Sequence, residues 1–188
     1  MNHGHVRIPA IALVTIVSVA CGTSAPGAVP SPTSLPTATS FEEYAVNFCS
    51  AWEAVFLAVG NPDTAAGSVL SKALDGAGAA GNAAEAERLA AEITAELESG
   101  RRYAAAAGGW PEAAPGMLQM DRLFVAFEAM IAAKAVAATG KPGAVDPQTA
   151  FEQAGGVEAY FAMIEAMRAR PSAGQAGAKQ CPNLPVGP

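Results

Sequence analysis

From Phe41 onwards, large apolar side chains recur every three or four residues, and this spacing constrains the fold more than any other feature of the sequence. In the first such stretch, six of them fall on one face of a predicted helix: Phe41, Tyr44, Phe48, Trp52, Val55 and Val59. We find no useful length of the strict apolar/polar alternation that predicts a half-buried β-strand, and no internal repeat. The pattern therefore predicts an all-α domain.

Turn and capping residues divide this domain into five predicted helices. Asn61-Pro62 and Asp146-Pro147 each combine a capping residue with proline at the first helical position, and Asn82 precedes Glu85 at capping-box spacing. Glycines at 76–81 predict a break. The predicted helices cover about 41–60, 62–75, 83–107, 115–139 and 147–170. The fourth is apolar on more than one side, which predicts a central position.

Residues 1–20 have the composition of a removable export signal. Arg7 is followed by thirteen mostly apolar residues without charge, 8–20. As a helix this run would span only about 20 Å, less than the hydrocarbon core of a bilayer at about 30 Å. It therefore predicts a signal peptide rather than a permanent membrane span.

Ser18-Val19-Ala20-Cys21-Gly22 resembles the lipobox of bacterial lipoproteins, in which small residues precede a cysteine just after the apolar run. The resemblance implies a diacylglycerol on the Cys21 sulfur, cleavage before Cys21, and the lipid bilayer as partner on the extracytoplasmic face. Ser18 departs from the aliphatic residue that is usual there. Two alternatives stay open: ordinary secretory cleavage, which would release a soluble protein, and an uncleaved anchor.

The segment 22–40 is rich in Pro, Ser, Thr and Ala and has no charge, which is typical of a flexible linker. Together with the Ala and Gly content of the whole chain, it is similar to lipoproteins of high-G+C Gram-positive bacteria. The predicted organisation is a signal peptide at 1–20, a lipidated cysteine and linker at 21–40, a helical domain at 41–183 and a flexible tail at 184–188.

The two remaining cysteines, Cys49 and Cys181, predict a disulfide. If the short second helix is a crossover, the four long helices alternate in direction, and the fifth helix ends beside the start of the first, near Cys49. The predicted fold is thus an antiparallel bundle of four long helices and one short helix. The bond would join its first helix to the segment that follows its last helix. The loop that it closes contains 133 residues, counting both cysteines (181 − 49 + 1).

Charge and histidine content exclude several classes of function. Without residues 1–20 the chain has 10 Lys and Arg, because Arg7 is removed from 11, against 17 Asp and Glu, a net charge of −7. No basic stripe suited to nucleic acid is visible. His3 and His5 are the only histidines and lie in the predicted signal, which excludes histidine-based catalysis and the usual zinc sites. We expect no catalytic residue, metal or cofactor.

Four residues are candidates for ligand binding: Trp52, Arg101, Arg102 and Trp110. The two arginines could hold an anion beside Trp110; alternatively, they offset the dipole of the third helix and pair with Glu98.

Other candidate sites have plainer structural interpretations. The carboxylates Glu85, Glu92 and Glu96 share a helix face, and we interpret them as a solvated face supported by Arg88. Lys134 is expected to extend to the surface. The methionines of the last two helices either fill the core or line an adaptable pocket.

Three classes of function follow. A non-catalytic interaction or scaffolding module, with an unknown envelope protein as partner, is the first expectation, and it predicts a well-packed core, an exposed patch and no internal cavity. A carrier or sensor of a small apolar or lipid-like ligand predicts an apolar cavity of a few hundred Å³ between the first, fourth and fifth helices. A carboxylate-based enzyme would need convergent acids in a cleft.

Overall fold

The computed structural model describes residues 34–61, 66–170 and 181. Within these ranges the chain is an all-α bundle, as predicted, apart from one two-stranded ribbon of two-residue strands. The helices are α1 (Phe41–Ala58), α2 (Val69–Ala79), α3 (Ala83–Ala107), α4 (Ala114–Ala138), α5 (Pro147–Gln153) and α6 (Gly156–Arg168), and the strands are β1 (Gly60–Asn61) and β2 (Ala66–Gly67).

Helix α1 packs on α3, α3 on α4 and α4 on α6, whereas α2 lies against both α3 and α4, and α5 lies against α4. The central position of α4 is confirmed. The largest fully buried side chains come from α1, α2, α3 and α4: Tyr44, Val55, Leu74, Ile93, Leu97, Met120, Leu123, Phe124 and Ile131. Alanines fill the space between them, so the helices approach closely.

The predicted start of the second helix at Pro62 is wrong. Helix α2 begins at Val69 because Ser68 caps it: the Ser68 Oγ accepts a hydrogen bond from the Ser71 N–H at 2.9 Å and donates one to the Ala58 carbonyl, also at 2.9 Å. Asn61 lies instead in β1, which pairs with β2.

The predicted break at Gly76 is also wrong, because Leu74 and Ala77 bury a continuous helical face. Helix α2 continues to Ala79, and the turn comes at Gly81, which has a left-handed backbone (φ 66°).

The predicted fifth helix is two helices. Asp146 caps α5 and Pro147 begins it, as expected, but the chain turns at Gly155, whose φ is 78°. That left-handed conformation suits glycine and ends the α5 hydrogen-bond pattern. The Phe151 ring occupies the space where Gly156 would carry a Cβ, which brings α6 close to α5.

The predicted disulfide between Cys49 and Cys181 is present, with a Cα–Cα distance of 5.4 Å and Cys181 buried in the core. The expected topology is also present: the Tyr44 hydroxyl on α1 lies 3.8 Å from the Met167 Sδ near the end of α6. The disulfide therefore joins the middle of α1 to the segment that follows α6.

The packed part of the chain begins before the predicted boundary at 41. Ala38 is buried, and its N–H donates a 2.9 Å hydrogen bond to the Ala106 carbonyl at the end of α3. Gly109 permits this approach, because a Cβ there would overlap Thr37. The last residues of the predicted linker are thus packed against the helical domain and belong to it.

The predicted signal at 1–20, Cys21 and the tail at 184–188 lie outside the described residues. Among the helices that the structure describes, none is long and apolar enough to cross a bilayer.

Candidate functional site

A cleft of about 560 Å³ lies between the C-terminal end of α1, the β1–β2 ribbon, and helices α2, α4, α5 and α6. Its floor is one face of α4, on which Leu123, Phe127, Met130 and Lys134 follow at steps of four, three and four residues. Helical side chains at such steps lie above one another, so the floor is an apolar stripe with an ammonium group at one end.

The short helices α5 and α6 form an aromatic wall of the cleft. Phe151 packs against Phe127 with ring centroids 5.2 Å apart, and Tyr160 and Phe161 contact each other at 5.7 Å. Phe161 and Val157 are partly open to solvent. The chain turns at Gly155 between α5, which carries Phe151, and α6, which carries Tyr160 and Phe161.

Helix α2 forms the wall opposite the aromatic wall, and its polar side chains bind Lys134 on the floor. The Lys134 Nζ donates hydrogen bonds to Asp75 Oδ1 at 2.7 Å and to Ser71 Oγ at 3.2 Å, both on α2. Only 18% of the Lys134 side chain is exposed, against 59% for Asp75. We expected Lys134 to extend to the surface: its ammonium does reach the exposed Asp75, while α2 covers most of the side chain and provides its partners. Lys72, one residue after Ser71, also lines the cleft.

The two candidate arginines have different surroundings. Arg101 pairs with Asp121 at 2.9 Å and with Glu128 at 3.5 Å, both on α4, and not with Glu98 as one interpretation expected. The hydrogen bond to Asp121 raises the pKa of the Arg101 guanidinium. The Glu128 Oε1 is buried without a hydrogen bond, so Arg101 supplies its countercharge. Arg102 is exposed.

The two tryptophans lie apart from the cleft lining and are used in packing. Trp110 stacks on Tyr44 with centroids 5.0 Å apart and meets Phe41 edge-on at 5.6 Å. Trp52 is half-buried and contacts Phe48 and Phe56 along α1. The structure thus does not bring the four predicted ligand-binding residues together, and none of them lines the cleft.

The carboxylates on α3 form the solvated face that we expected. Arg88 binds Glu85 at 2.7 Å and Glu92 at 2.9 Å, and all three side chains are well exposed. The hydrogen bond from Arg88 lowers the pKa of Glu85. Across 34–61, 66–170 and 181, no group of three or more acidic, His or Cys side chains could hold a metal ion.

The methionines divide between the two predicted roles. Met117, Met120 and Met163 are buried in the core, whereas Met130 lines the cleft. The sequence did contain a signal for the cleft, since Lys134 continues an apolar stripe at helical spacing. Its partners Ser71 and Asp75, about sixty residues earlier in the chain, could not be paired with it from spacing alone.

Comparison of the chain with known protein families, with curated proteins and with solved structures finds no match. The cleft and its side chains are therefore the basis on which a function can be assigned.

Proposed function

We propose that the protein is a membrane-anchored extracytoplasmic lipoprotein whose helical domain binds a small, largely apolar molecule without catalysing a reaction on it. The cleft carries this proposal. Its volume of about 560 Å³ lies within the range of roughly 300–1,000 Å³ that is usual for small-molecule sites, and such sites combine apolar and aromatic walls with a few polar groups.

The cleft favours a carrier or sensor over an interaction module, which was the first expectation from sequence. The interaction hypothesis predicts a well-packed core, an exposed patch and no internal cavity, and the carrier hypothesis predicts an apolar cavity between the first, fourth and fifth predicted helices. The cleft lies at the end of α1, along α4 and against α5 and α6. Its position and its size both agree with the carrier hypothesis.

A non-catalytic role is part of the proposal. The described residues that line the cleft include four ionisable groups, Lys72, Asp75, Lys134 and Tyr160. Lys134 and Asp75 are hydrogen-bonded to each other. Both histidines of the chain precede residue 6, and Cys49 and Cys181 are joined, so neither imidazole nor thiolate from this domain is available to a ligand in the cleft.

The described chain enters the domain at the end of α1 that is away from the cleft. The chain reaches the domain through Ala38, next to the start of α1, whereas the cleft lies at the other end of that helix. Eighteen helical residues separate the two points by about 27 Å.

The test is saturable binding of N-phenyl-1-naphthylamine, a neutral apolar dye whose fluorescence rises in an apolar site. The mature chain is used with Cys21→Ser, so that no acyl chain of its own competes. Val157→Trp places an indole at the mouth of the cleft. Val125→Trp is the matched control, because Val125 is similarly exposed (42% against 38% for Val157) and does not line the cleft.

We expect one dye to bind per chain, with an affinity that falls about tenfold or more in Val157→Trp and stays unchanged in Val125→Trp. The affinity loss follows from occupation of the space that the dye would fill. Absence of saturable binding to the parent chain, or equal binding by both variants, would overturn the proposal.

A further inference from the structure

We infer that the ligand of the cleft is a single-chain amphipathic anion, whose acidic head binds Lys134 and whose apolar chain lies along the α4 stripe. This inference rests on the proposed function and names its class of ligand. The head could be the carboxylate of a fatty acid or the phosphate of a simple alkyl phosphate, since both present negatively charged oxygens to an ammonium group.

Charge is the first observation in favour. The chain as a whole has a net charge of −6. The described residues that line the cleft nevertheless include two lysines, Lys72 and Lys134, and one acid, Asp75. Lys72 has no ion pair or hydrogen bond from its side chain among the described residues. The cleft wall formed by α2 and α4 is therefore locally positive on an acidic protein, which is complementary to an anionic head.

The second observation is the unequal burial of the Lys134–Asp75 pair. Lys134 is 18% exposed and Asp75 is 59% exposed. If an incoming anion takes the place of Asp75, the carboxylate of Asp75 returns to water at little cost, because it is already mostly hydrated. The ammonium of Lys134, covered by α2, keeps a charged partner throughout. The Ser71 hydroxyl, 3.2 Å from Lys134 Nζ, remains as its second partner.

The third observation is the order of groups along α4. Leu123, Phe127 and Met130 form the apolar part of the stripe, and Lys134 ends it one turn after Met130. A ligand with one charged end and one unbranched apolar chain matches this order. A neutral apolar ligand would fill the stripe but would leave the ammonium end unused.

Isothermal titration calorimetry with three probes of equal chain length tests the inference: octanoate, octyl phosphate and octan-1-ol. We expect each anion to bind at least about tenfold more tightly than the alcohol, since a hydrogen bond to a charged group contributes more than a neutral one. Tighter binding of octanoate would identify a fatty-acid type of head, and tighter binding of octyl phosphate a phosphate head. Either result supports the inference.

Lys134→Met keeps the apolar length of the side chain and removes its charge, and Lys141→Met, at an exposed lysine that does not line the cleft, is its control. Lys134→Met should bring both anions to the affinity of the alcohol while dye binding is retained, and Lys141→Met should change nothing. Equal affinity of the alcohol and the anions for the parent chain, or an unchanged ratio in Lys134→Met, would overturn the inference alone. If neither the dye nor any of the three probes binds, the proposed function itself fails.

Discussion

The two ends of this bundle differ in how completely side chains fill the space between the helices. At the end where the chain enters, which we call the aromatic end, the rings of Phe41, Tyr44, Phe48 and Trp110 lie in mutual contact and fill the space between the helices. At the cleft end, the structure uses short elements: α2 with 11 residues, α5 with 7, and a ribbon of two-residue strands. These frame a space of about 560 Å³ without filling it.

We infer that the aromatic end contributes more to the stability of the fold, whereas the cleft end contributes the binding site. The aromatic end contains the stacked pair Tyr44–Trp110, the anchoring of Ala38 on α3, and α1 residues close to the disulfide. The cleft end leaves Phe161 and Val157 partly exposed. Regions with fewer buried contacts open at lower free energy, and binding sites are drawn from such regions. We therefore expect changes near the aromatic end and in the long-helix core to affect unfolding more than changes beside the cleft.

The largest effect is expected from loss of the disulfide. Replacing both cysteines, Cys49→Ala with Cys181→Ala, removes a cross-link between residues 132 apart in the chain. The free energy of unfolding should fall by about 2–5 kcal/mol, because the unfolded chain gains conformational entropy. Denaturant unfolding monitored by circular dichroism measures it.

Comparison with the wild type under reducing conditions serves as the control for the cysteine substitutions. The reduced wild type and the double variant should unfold alike, because both lack the same bond. A loss of less than about 1 kcal/mol would show that the disulfide contributes little to stability, contrary to the role that we infer for the aromatic end.

Two glycines give the next largest effect and compare the long-helix core with the cleft end directly. In α3, a Cβ on Gly100 would lie 2.5 Å from the Phe124 ring and 2.8 Å from the Ala54 Cβ. Gly100→Ala should therefore destabilise the fold by about 1–3 kcal/mol through overpacking. In α2, beside the cleft, nothing lies within 4 Å of a Cβ on Gly76.

The same substitution at Gly76 should have the opposite sign. Gly76→Ala should stabilise the fold by about 0.5–1 kcal/mol, since alanine favours the helix and meets no neighbour. Both variants are compared by denaturant unfolding in the same buffer. A destabilisation of similar size at the two positions would contradict the difference in packing density on which the comparison rests.

The long helices could be predicted from sequence because their signals are local. Asn82 caps α3 through the Glu85 N–H, and proline lies in the first turn of α4, both as expected. The start of α2 could not be predicted, since Asn61-Pro62 and Ser68 are both plausible caps. A hydrogen bond from Ser68 to Ala58, ten residues away, selects the second of them.

The candidate site was harder to predict than the fold because its contacts are long-range. Arg101 has Glu98 as a neighbour in sequence, but it binds Asp121 on the next helix. Lys134 looks like a surface lysine until α2 places Asp75 beside it. Apolar periodicity predicts which helix faces are buried. It does not predict where short elements such as α5 leave a cleft beside those faces.

The last prediction concerns pH and the aromatic end. Tyr44 is fully buried, and burial raises the pKa of its phenol above the usual value near 10, because the phenolate would lose its hydration. The folded state therefore holds the Tyr44 proton more tightly than the unfolded state. The stability linked to this proton is complete below pH 10 and is lost as the pH rises further.

Tyr44→Phe removes this titration and retains the ring that stacks on Trp110. The free energy of unfolding of the wild type, measured relative to Tyr44→Phe between pH 9 and 11, should begin to fall near pH 10, with a slope that approaches about 1.4 kcal/mol per pH unit. Lysines titrate in the same range in both proteins, so the difference between the two curves isolates the phenol. Parallel curves up to pH 11 would mean that water reaches Tyr44, and the aromatic end would then be no more closely packed than the cleft end.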